Sequence, residues 1–217
     1  MSGLRDRWST STPPTPSTPW TTPALLAVTA TAVALLAGLT LLVRHDPAAG
    51  WERDVVEAAV DLPGVLGGPL WLVMQLGRRS LVPVVALVVL VVTRRVAPAV
   101  GLVVAGMATG FGIDVWKDWS GRARPTGVPT REDAHGFGFP SGHTATAFAL
   151  AVIVASLVPA RAPGWWRAVP FVVAALVAAG RLNAGVHYPL DVVGGALWGI
   201  AVGAATVAAL RAVEGHR

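Results

Sequence analysis

The sequence predicts an all-α integral membrane protein, a bundle of six transmembrane helices with its functional site at the outer membrane face. Hydrophobic residues make up 53% of the 217 residues and charged residues only 13%, against roughly 25% charged in soluble domains. The chain also contains long uncharged stretches, and a helix of about 20 apolar residues crosses a bilayer. Cysteine is absent, which excludes a disulfide scaffold, thiolate zinc sites and a cysteine nucleophile.

Six apolar stretches are candidates for the six spans. Four of them contain no charged residue: Ala24–Val43, Val96–Ile113, Thr144–Ala160 and Val192–Leu210. Ala162–Gly180 contains only Arg167, close to its start, where a long side chain can reach the lipid headgroups. Ser80–Thr93 would measure only about 21 Å as a helix, so we expect this span to extend backwards through two arginines toward Trp71.

The chain divides into a leader, a membrane domain and a tail. Residues 9–23 are Ser, Thr or Pro at 14 of 15 positions, so residues 1–23 are predicted to be a disordered cytoplasmic leader. Residues 24–211 would form the membrane domain, and residues 212–217 a cytoplasmic tail. A signal peptide is the alternative for the first span. The span has 20 apolar residues, whereas the apolar region of a signal peptide usually has about 7–15, so a retained membrane anchor is favoured.

Basic residues predict the orientation, because cytoplasmic loops are enriched in Lys and Arg. With the amino terminus inside, the inner segments hold eight basic and two acidic residues, and the outer segments hold nine basic and ten acidic residues. The basic counts alone are nearly even, but each of the four inner segments carries two arginines, and several of the outer basic residues belong to candidate site motifs. This pattern predicts that both termini are cytoplasmic. Three segments would then lie outside: Arg44–Arg79, Asp114–His143 and Arg181–Asp191. The last two contain nearly all of the unusual polar residues.

The first of three polar signatures is Lys117-x6-Arg124-Pro125. Lys117 is the only lysine among 17 basic residues. Arginine offers a planar fork of donors and lysine a compact charge, so the two are not interchangeable. Lys117 and Arg124 are therefore candidates for binding a multiply charged anion. Taken alone, this signature also fits a basic cluster at the lipid surface.

The second signature, Pro140-Ser141-Gly142-His143, stands directly before an apolar stretch. A helix that begins here would present free backbone N–H groups and the positive end of its dipole, which suit a phosphate. Gly142 would let an anion approach the backbone closely, with His143 beside it. The structural alternative is an ordinary helix start that Ser141 caps.

The third signature is Arg181-x5-His187-x3-Asp191, with Asp191 in the first turn of the last predicted helix. Asp191 would hydrogen-bond one ring nitrogen of His187 and leave the other unprotonated as a nucleophile. Capping by Asp191, with an incidental histidine, is the structural alternative. A zinc site of two histidines and Asp191 is disfavoured, because Lys117, Arg124 and Arg181 would repel the metal ion.

Three cations, two histidines, one carboxylate and a glycine-containing helix start fit phosphoryl transfer through a phosphohistidine. The order and spacing of K-x6-RP, PSGH and R-x5-H-x3-D resemble the type 2 phosphatidic acid phosphatase superfamily, in its membrane lipid phosphatase branch. The motifs cover Lys117–Asp191, and the six-helix layout extends the resemblance to residues 24–210. One departure is Gly180, where the family usually has serine; the departure removes a hydroxyl from the edge of the site.

The resemblance implies a role for each matched residue. His187 is the nucleophile, Asp191 holds its tautomer, and His143 gives a proton to the leaving oxygen and later takes one from water. The phosphate is held by the cations and the helix start: Lys117, Arg124, Ser141, Gly142 and Arg181. The resemblance implies no metal or other cofactor, since three cations supply the positive charge.

The predicted function is that of a membrane phosphatase acting on a lipid phosphate or diphosphate of the phosphatidic acid, phosphatidylglycerophosphate or polyprenyl diphosphate class. The expected partners are this substrate and membrane lipids. Nucleic acid is not expected, because the high pI of 11.2 comes with no basic stripe or RNA motif. Nothing in the sequence indicates an oligomeric state.

Three alternative functions remain at this stage. A lipid phosphotransferase could use the same scaffold with a lipid alcohol in place of water. A vanadium-dependent haloperoxidase has a related site, but the six predicted spans argue against it. A non-catalytic lipid-binding membrane protein is disfavoured, because all the nucleophile and cation positions of the motifs are present.

Residues 126–139 join the first two signatures, in a loop that would lie over a headgroup. Its charged residues are typical of a solvated loop: Arg131, Glu132, Asp133 and His135. Four aromatic residues flank the first two signatures and are candidates for anchors at the membrane interface. They are Trp116, Trp119, Phe137 and Phe139.

Overall fold

The computed structural model describes residues 20–45 and 48–215. These residues form eight α-helices: Thr22–His45 (α1), Gly50–Val60 (α2), Gly64–Met74 (α3), Val82–Thr93 (α4), Val96–Ser120 (α5), Gly142–Ser156 (α6), Val169–Asn183 (α7) and Pro189–Gly215 (α8). Short 3₁₀ turns lie at Gln75–Gly77, Arg79–Leu81 and Gly164–Arg167. The predicted all-α fold class is confirmed. The predicted leader lies mostly, and the predicted tail partly, outside the described residues.

Four helices are long and apolar enough to cross a membrane: α1, α5, α7 with the turn before it, and α8. Helices α2 and α3 would together make a fifth span, but they are bent by 104° at the break between them. Helices α4 and α6 are apolar but shorter. The described residues thus contain four or five helices of spanning length, and the predicted count of six is not confirmed. Met107 and Phe111 are 72% and 76% exposed, as suits a surface that faces lipid.

The second predicted span was wrong in its extent. The chain leaves helical geometry at Arg78 (φ −69°, ψ 133°), so the helix does not continue back toward Trp71. Pro83 occupies the first turn of α4, where its fixed φ favours a helix start. The break keeps Arg78 and Arg79 at the polar end of the bundle, where both line a pocket.

Helices α6 and α8 run in the same direction and pack backbone against backbone. Three glycines spaced four residues apart on α8 face α6: Gly195, Gly199 and Gly203. A Cβ at Gly195 would lie 2.4 Å from the carbonyl oxygen of Ser141, and one at Gly199 would lie 2.2 Å from that of Ala145. Small residues at this spacing let helices approach closely. The contact places the first turns of α6 and α8 side by side.

Helix α7 packs against α3 at Gly180, the position at which the sequence departs from the family pattern. A Cβ at Gly180 would lie 2.7 Å from the carbonyl oxygen of Leu70 and 2.7 Å from Cβ of Met74. Neither atom is the flexible end of a side chain, so the two helices would have to separate. A serine here would therefore press on α3, and the glycine is explained by helix packing.

We predict that Gly180→Ser lowers the free energy of unfolding by about 1–3 kcal/mol, because the added atoms overpack the contact between α3 and α7. Thermal unfolding of detergent-purified protein, followed by circular dichroism, measures the change. Gly68→Ser on α3 is the matched control, because a Cβ at Gly68 would have no atom within 4 Å. Equal unfolding midpoints for the two variants would contradict the prediction.

Candidate active site

The three predicted signatures meet at one end of the bundle. Helices α5 and α7 end there, and α6 and α8 begin there. A pocket of about 490 Å³ lies between these helix ends. Six predicted residues line it: Lys117, Arg124, Gly142, His143, Arg181 and His187. The remaining two, Ser141 and Asp191, are fully buried next to it.

His187 and Asp191 form the pair that the third signature predicts. Nδ1 of His187 lies 3.3 Å from Oδ2 of Asp191, and the same oxygen accepts the backbone N–H of Tyr188 at 2.9 Å. Because an ionised carboxylate only accepts hydrogen bonds, Nδ1 carries the proton. The second ring nitrogen, Nε2, is then unprotonated, and it lies 3.3 Å from Nη1 of Arg124.

Burial keeps the His187 ring neutral. The side chain is 2% exposed, and burial lowers the pKa of His187 to about 4. The hydrogen bond and charge of Asp191 raise this pKa, while the charges of Arg181 and Arg124 lower it further. His187 is therefore neutral at pH 7, the protonation state that a nitrogen nucleophile requires.

Backbone carbonyl groups orient two of the cations. Arg124 donates to the carbonyl oxygen of Val186 at 2.8 Å and to two carbonyl oxygens of the 126–139 loop at 3.1 and 3.2 Å. Lys117 donates to the carbonyl oxygen of Phe137 at 2.8 Å. Because these partners are neutral, the two side chains are held in place while their charge remains available to an anion.

Two polar atoms at the pocket are buried without a hydrogen-bond partner among the described residues. They are Nε of Arg181 and Nε2 of His143. A buried donor or acceptor without a partner is costly, so both atoms mark positions where a ligand is expected to bind. Gly142 lies beside them at the start of α6, where the helix dipole favours negative charge.

Glu132 is a site residue that the sequence analysis missed. It was expected in a solvated loop, but its carboxylate forms ion pairs with Arg181 and, at 3.4 Å, with Arg78. Burial, the largest single cause, raises the pKa of Glu132, but the charge and hydrogen bond of Arg181 and the charges of His143 and Arg78 together lower it, and the net effect lowers this pKa. Glu132 is thus an anion that already forms an ion pair with Arg181, one of the cations predicted to hold phosphate.

Two further basic side chains reach the pocket from residues 44–79, where the sequence shows no motif. They are Arg78 and Arg79; Arg79 lies 3.7 Å from the carboxylate of Asp114. The sequence feature that could have identified them is the arginine pair itself, because charged residues within an apolar stretch are energetically costly in a membrane and commonly functional. Five basic side chains therefore line this pocket: Arg78, Arg79, Lys117, Arg124 and Arg181.

Ser141 joins helices and does not line the pocket. Its hydroxyl accepts a hydrogen bond from Oγ1 of Thr144 at 3.1 Å, and it forms no side-chain cap on α6. Its backbone N–H donates to the carbonyl oxygen of Asp191 at 2.8 Å. This bond fastens the start of α6 to the start of α8.

The predicted interface aromatics differ in their surroundings. Trp119 and Phe137 are 39% and 42% exposed, whereas Phe139 is fully buried. Phe139 packs with Leu36 and Val43 of α1. The prediction of an interface anchor was therefore wrong for Phe139, which belongs to the core because it fills the space beside α1 and α8.

In the described part of the chain, no group of three or more His, Asp or Glu side chains is arranged to hold a metal ion. In the alternative zinc site, both carboxylate oxygens of Asp191 have other partners. Oδ1 of Asp191 accepts from Arg122 at 2.7 Å, and Oδ2 faces His187. The carboxylate therefore positions a histidine ring.

Comparison with solved structures shows the same fold in two proteins. One is a structure described as the first transmembrane PAP2 type phosphatidylglycerolphosphate phosphatase, from Bacillus subtilis. It is 21% identical, with a TM-score of 0.71, and the match covers 87% of this chain and 96% of that chain. The second is LpxE from Aquifex aeolicus, with 24% identity and a TM-score of 0.64 over 74% of this chain and 97% of that chain. Comparison with curated proteins gives no match.

A family model described as the PAP2 superfamily matches residues 98–213. This range covers more than half of the chain and includes all three signatures. It agrees with the family that the motif spacing resembles. The chain therefore belongs to the PAP2 superfamily.

Proposed function

We propose that this protein is a membrane phosphatase that hydrolyses a lipid phosphate or diphosphate through a phosphohistidine intermediate. The observation that carries the proposal is the buried, neutral His187, which presents Nε2 beside Arg124 in a pocket where Arg181 and His143 have unpaired polar atoms. A nucleophile, cations and free polar atoms in one pocket suit a phosphoryl group. The Bacillus subtilis structure is of a phosphatidylglycerolphosphate phosphatase, which supports a lipid phosphate as the substrate.

In the first step, Nε2 of His187 attacks phosphorus in line with the leaving oxygen. The N–P bond forms as the P–O bond to the lipid breaks. His143, which the negative charge of the bound phosphate favours in its protonated form, donates its proton to the leaving oxygen. Asp191 keeps the proton on Nδ1 and stabilises the positive charge that develops on the ring. The products are a lipid alcohol or lipid monophosphate and phosphohistidine.

In the second step, water attacks the phosphohistidine. His143, now neutral, accepts a proton from the water as the new P–O bond forms and the N–P bond breaks. Inorganic phosphate leaves, and both histidines return to their starting protonation states. One residue thus acts as acid and then as base at the same place.

Lys117, Arg124 and Arg181 hold the nonbridging phosphate oxygens in both steps. Their charges offset the negative charge that these oxygens carry in the transition state. The start of α6 at Gly142 adds the positive end of a helix dipole. The proposed chemistry takes its positive charge from these groups and uses no metal ion.

We place the pocket at the outer face of the membrane, with both termini in the cytoplasm. The distribution of basic residues supports this orientation. The pocket lies at one end of apolar helices, so a lipid could present its phosphate there while its tails stay in the bilayer.

The proposed function predicts phosphate release from lipid phosphates by purified protein, and loss of release in His187→Ala. The loss should reach at least about a thousandfold, because no other group replaces the nucleophile. Phosphate is measured in detergent, with EDTA present, over a panel of phosphatidic acid, phosphatidylglycerophosphate and polyprenyl diphosphate. His216→Ala, near the carboxyl terminus, is the matched histidine control. Wild-type release by His187→Ala would exclude His187 as the nucleophile, and strong inhibition by EDTA would favour a metal.

His143→Ala should slow the cleavage of alkyl phosphates by about a hundredfold or more, with a smaller effect on p-nitrophenyl phosphate. An activated leaving group needs no proton, whereas an alkoxide does. Single-turnover measurement of phosphoenzyme formation separates this step from the later attack of water. An equal loss on both substrates in the first step would contradict the role of His143 as general acid.

The lowered pKa of His187 predicts that its ring stays neutral between pH 5 and 7. A depressed pKa of about 4 means that protonation, and with it loss of the nucleophile, occurs only near that pH. ¹⁵N NMR of the labelled histidines measures the charge, and His187→Ala assigns the signal. Titration of His187 near the ordinary value of about 6.5 would contradict the prediction.

A further inference from the structure

A buried ion pair that the proposed mechanism does not use connects to Asp191. Glu52 lies on α2, and Arg122 follows α5. Their side chains are 1% and 0% exposed, and they form a salt bridge. Removing two charges from water is so costly that a buried pair contributes little to stability by itself. Stability alone therefore does not explain why this ion pair is buried here, and its contacts indicate another role.

Arg122 fixes the carboxylate of Asp191. Its Nη1 donates to Oδ1 of Asp191 at 2.7 Å, and its Nη2 donates to Glu52. The other oxygen of Asp191 accepts the N–H of Tyr188 and faces Nδ1 of His187. Each carboxylate oxygen thus has a separate partner, and the orientation of the oxygen that faces His187 depends on Arg122.

Glu52 anchors Arg122 to the start of α8. Its Oε1 accepts the N–H of Leu190 at 3.0 Å, while Oε2 accepts from Arg122. The guanidinium of Arg122 also lies 5.0 Å from the centre of the Tyr188 ring, within the range of a cation–π contact. Both residues are therefore tied to the segment that immediately follows His187.

We propose that Glu52 and Arg122 are positioning residues that hold Asp191 in the orientation in which it keeps His187 as the Nδ1–H tautomer. Both act through Asp191 and neither contacts the substrate. The expected effect on turnover rests on the proposed function, whereas the expected effect on the tautomer does not.

The charges of the three groups suit this role. Glu52, Arg122 and Asp191 together carry one net negative charge, which stabilises a positive ring on His187 while the N–P bond forms. Without Glu52, the charge of Arg122 would cancel that of Asp191. Arg124, Arg181 and His143 also act on the charge of His187. Glu132 and Asp133 line the same pocket, and Glu132 is paired with Arg181.

The test compares Glu52→Gln and Arg122→Met with the wild-type protein by ¹⁵N NMR of labelled histidines at pH 7. The wild-type protein is expected to show His187 as the Nδ1–H tautomer, and both variants are expected to lower the fraction of that tautomer. In hydrolysis of a lipid phosphate, kcat should fall about tenfold or more, as for other groups that orient a functional histidine. KM should stay unchanged, because the interaction strengthens in the transition state.

Two further variants separate positioning from stability. Arg122→Lys keeps the charge with fewer donors, and it should restore part of the tautomer and kcat lost in Arg122→Met. Asn183→Ala removes a hydrogen bond from Nδ2 to the carbonyl oxygen of Ala59 at 2.6 Å, which weakens the attachment of α2 without touching the network. It should lower the unfolding midpoint and leave the His187 tautomer unchanged.

Glu52→Gln is nearly isosteric, so it decides the matter even if Arg122→Met does not fold. Wild-type tautomer and kcat in Glu52→Gln would overturn the proposal. The same loss in Asn183→Ala as in Glu52→Gln would also overturn it, because general loosening would then explain the effect. If the wild-type protein hydrolyses no lipid phosphate, the proposed function fails, and the tautomer measurement still tests Glu52 and Arg122.

Discussion

The backbone contact between α6 and α8 determines the geometry of the pocket. Gly199 leaves no room for a side chain against α6, so the two helices run side by side at backbone distance. Their first turns carry His143 and Asp191, and His187 stands just before α8. The separation between the proposed acid and the proposed nucleophile therefore depends on small residues that lie outside the pocket itself.

Much of the site could be predicted from the sequence because each signature lies beside the end of an apolar stretch, so helix ends and chemistry coincide. Glu132 and Glu52 could not be predicted in the same way. Their partners are far along the chain, 70 positions away for the bond between Glu52 and Arg122, and both stand in charged segments that resemble solvated ones. The break at Arg78 was missed because an apolar sequence on both sides of it suggests one helix.

Charged groups are bound differently on the two sides of the His187 ring. On the Nδ1 side, Arg122 and Asp191 form a buried ion pair with each other. On the pocket side, Lys117 and Arg124 are oriented by neutral carbonyl groups. The first arrangement resists change, because removal of any member leaves a buried charge uncompensated. The second leaves positive charge to be balanced by whatever enters the pocket.

The ion pair between Glu132 and Arg181 would make anion binding partly an exchange. Glu132 holds Nη1 of Arg181 and leaves Nε without a partner among the described residues. A phosphate that used the whole guanidinium would have to displace this carboxylate, and its net affinity would then be the difference between two ion pairs. In the proposed mechanism, the same carboxylate would return when inorganic phosphate leaves, and its return would offset part of the cost of releasing a multiply charged product. The proposed site could thus bind a phosphate group through several cations without retaining inorganic phosphate as a persistent inhibitor.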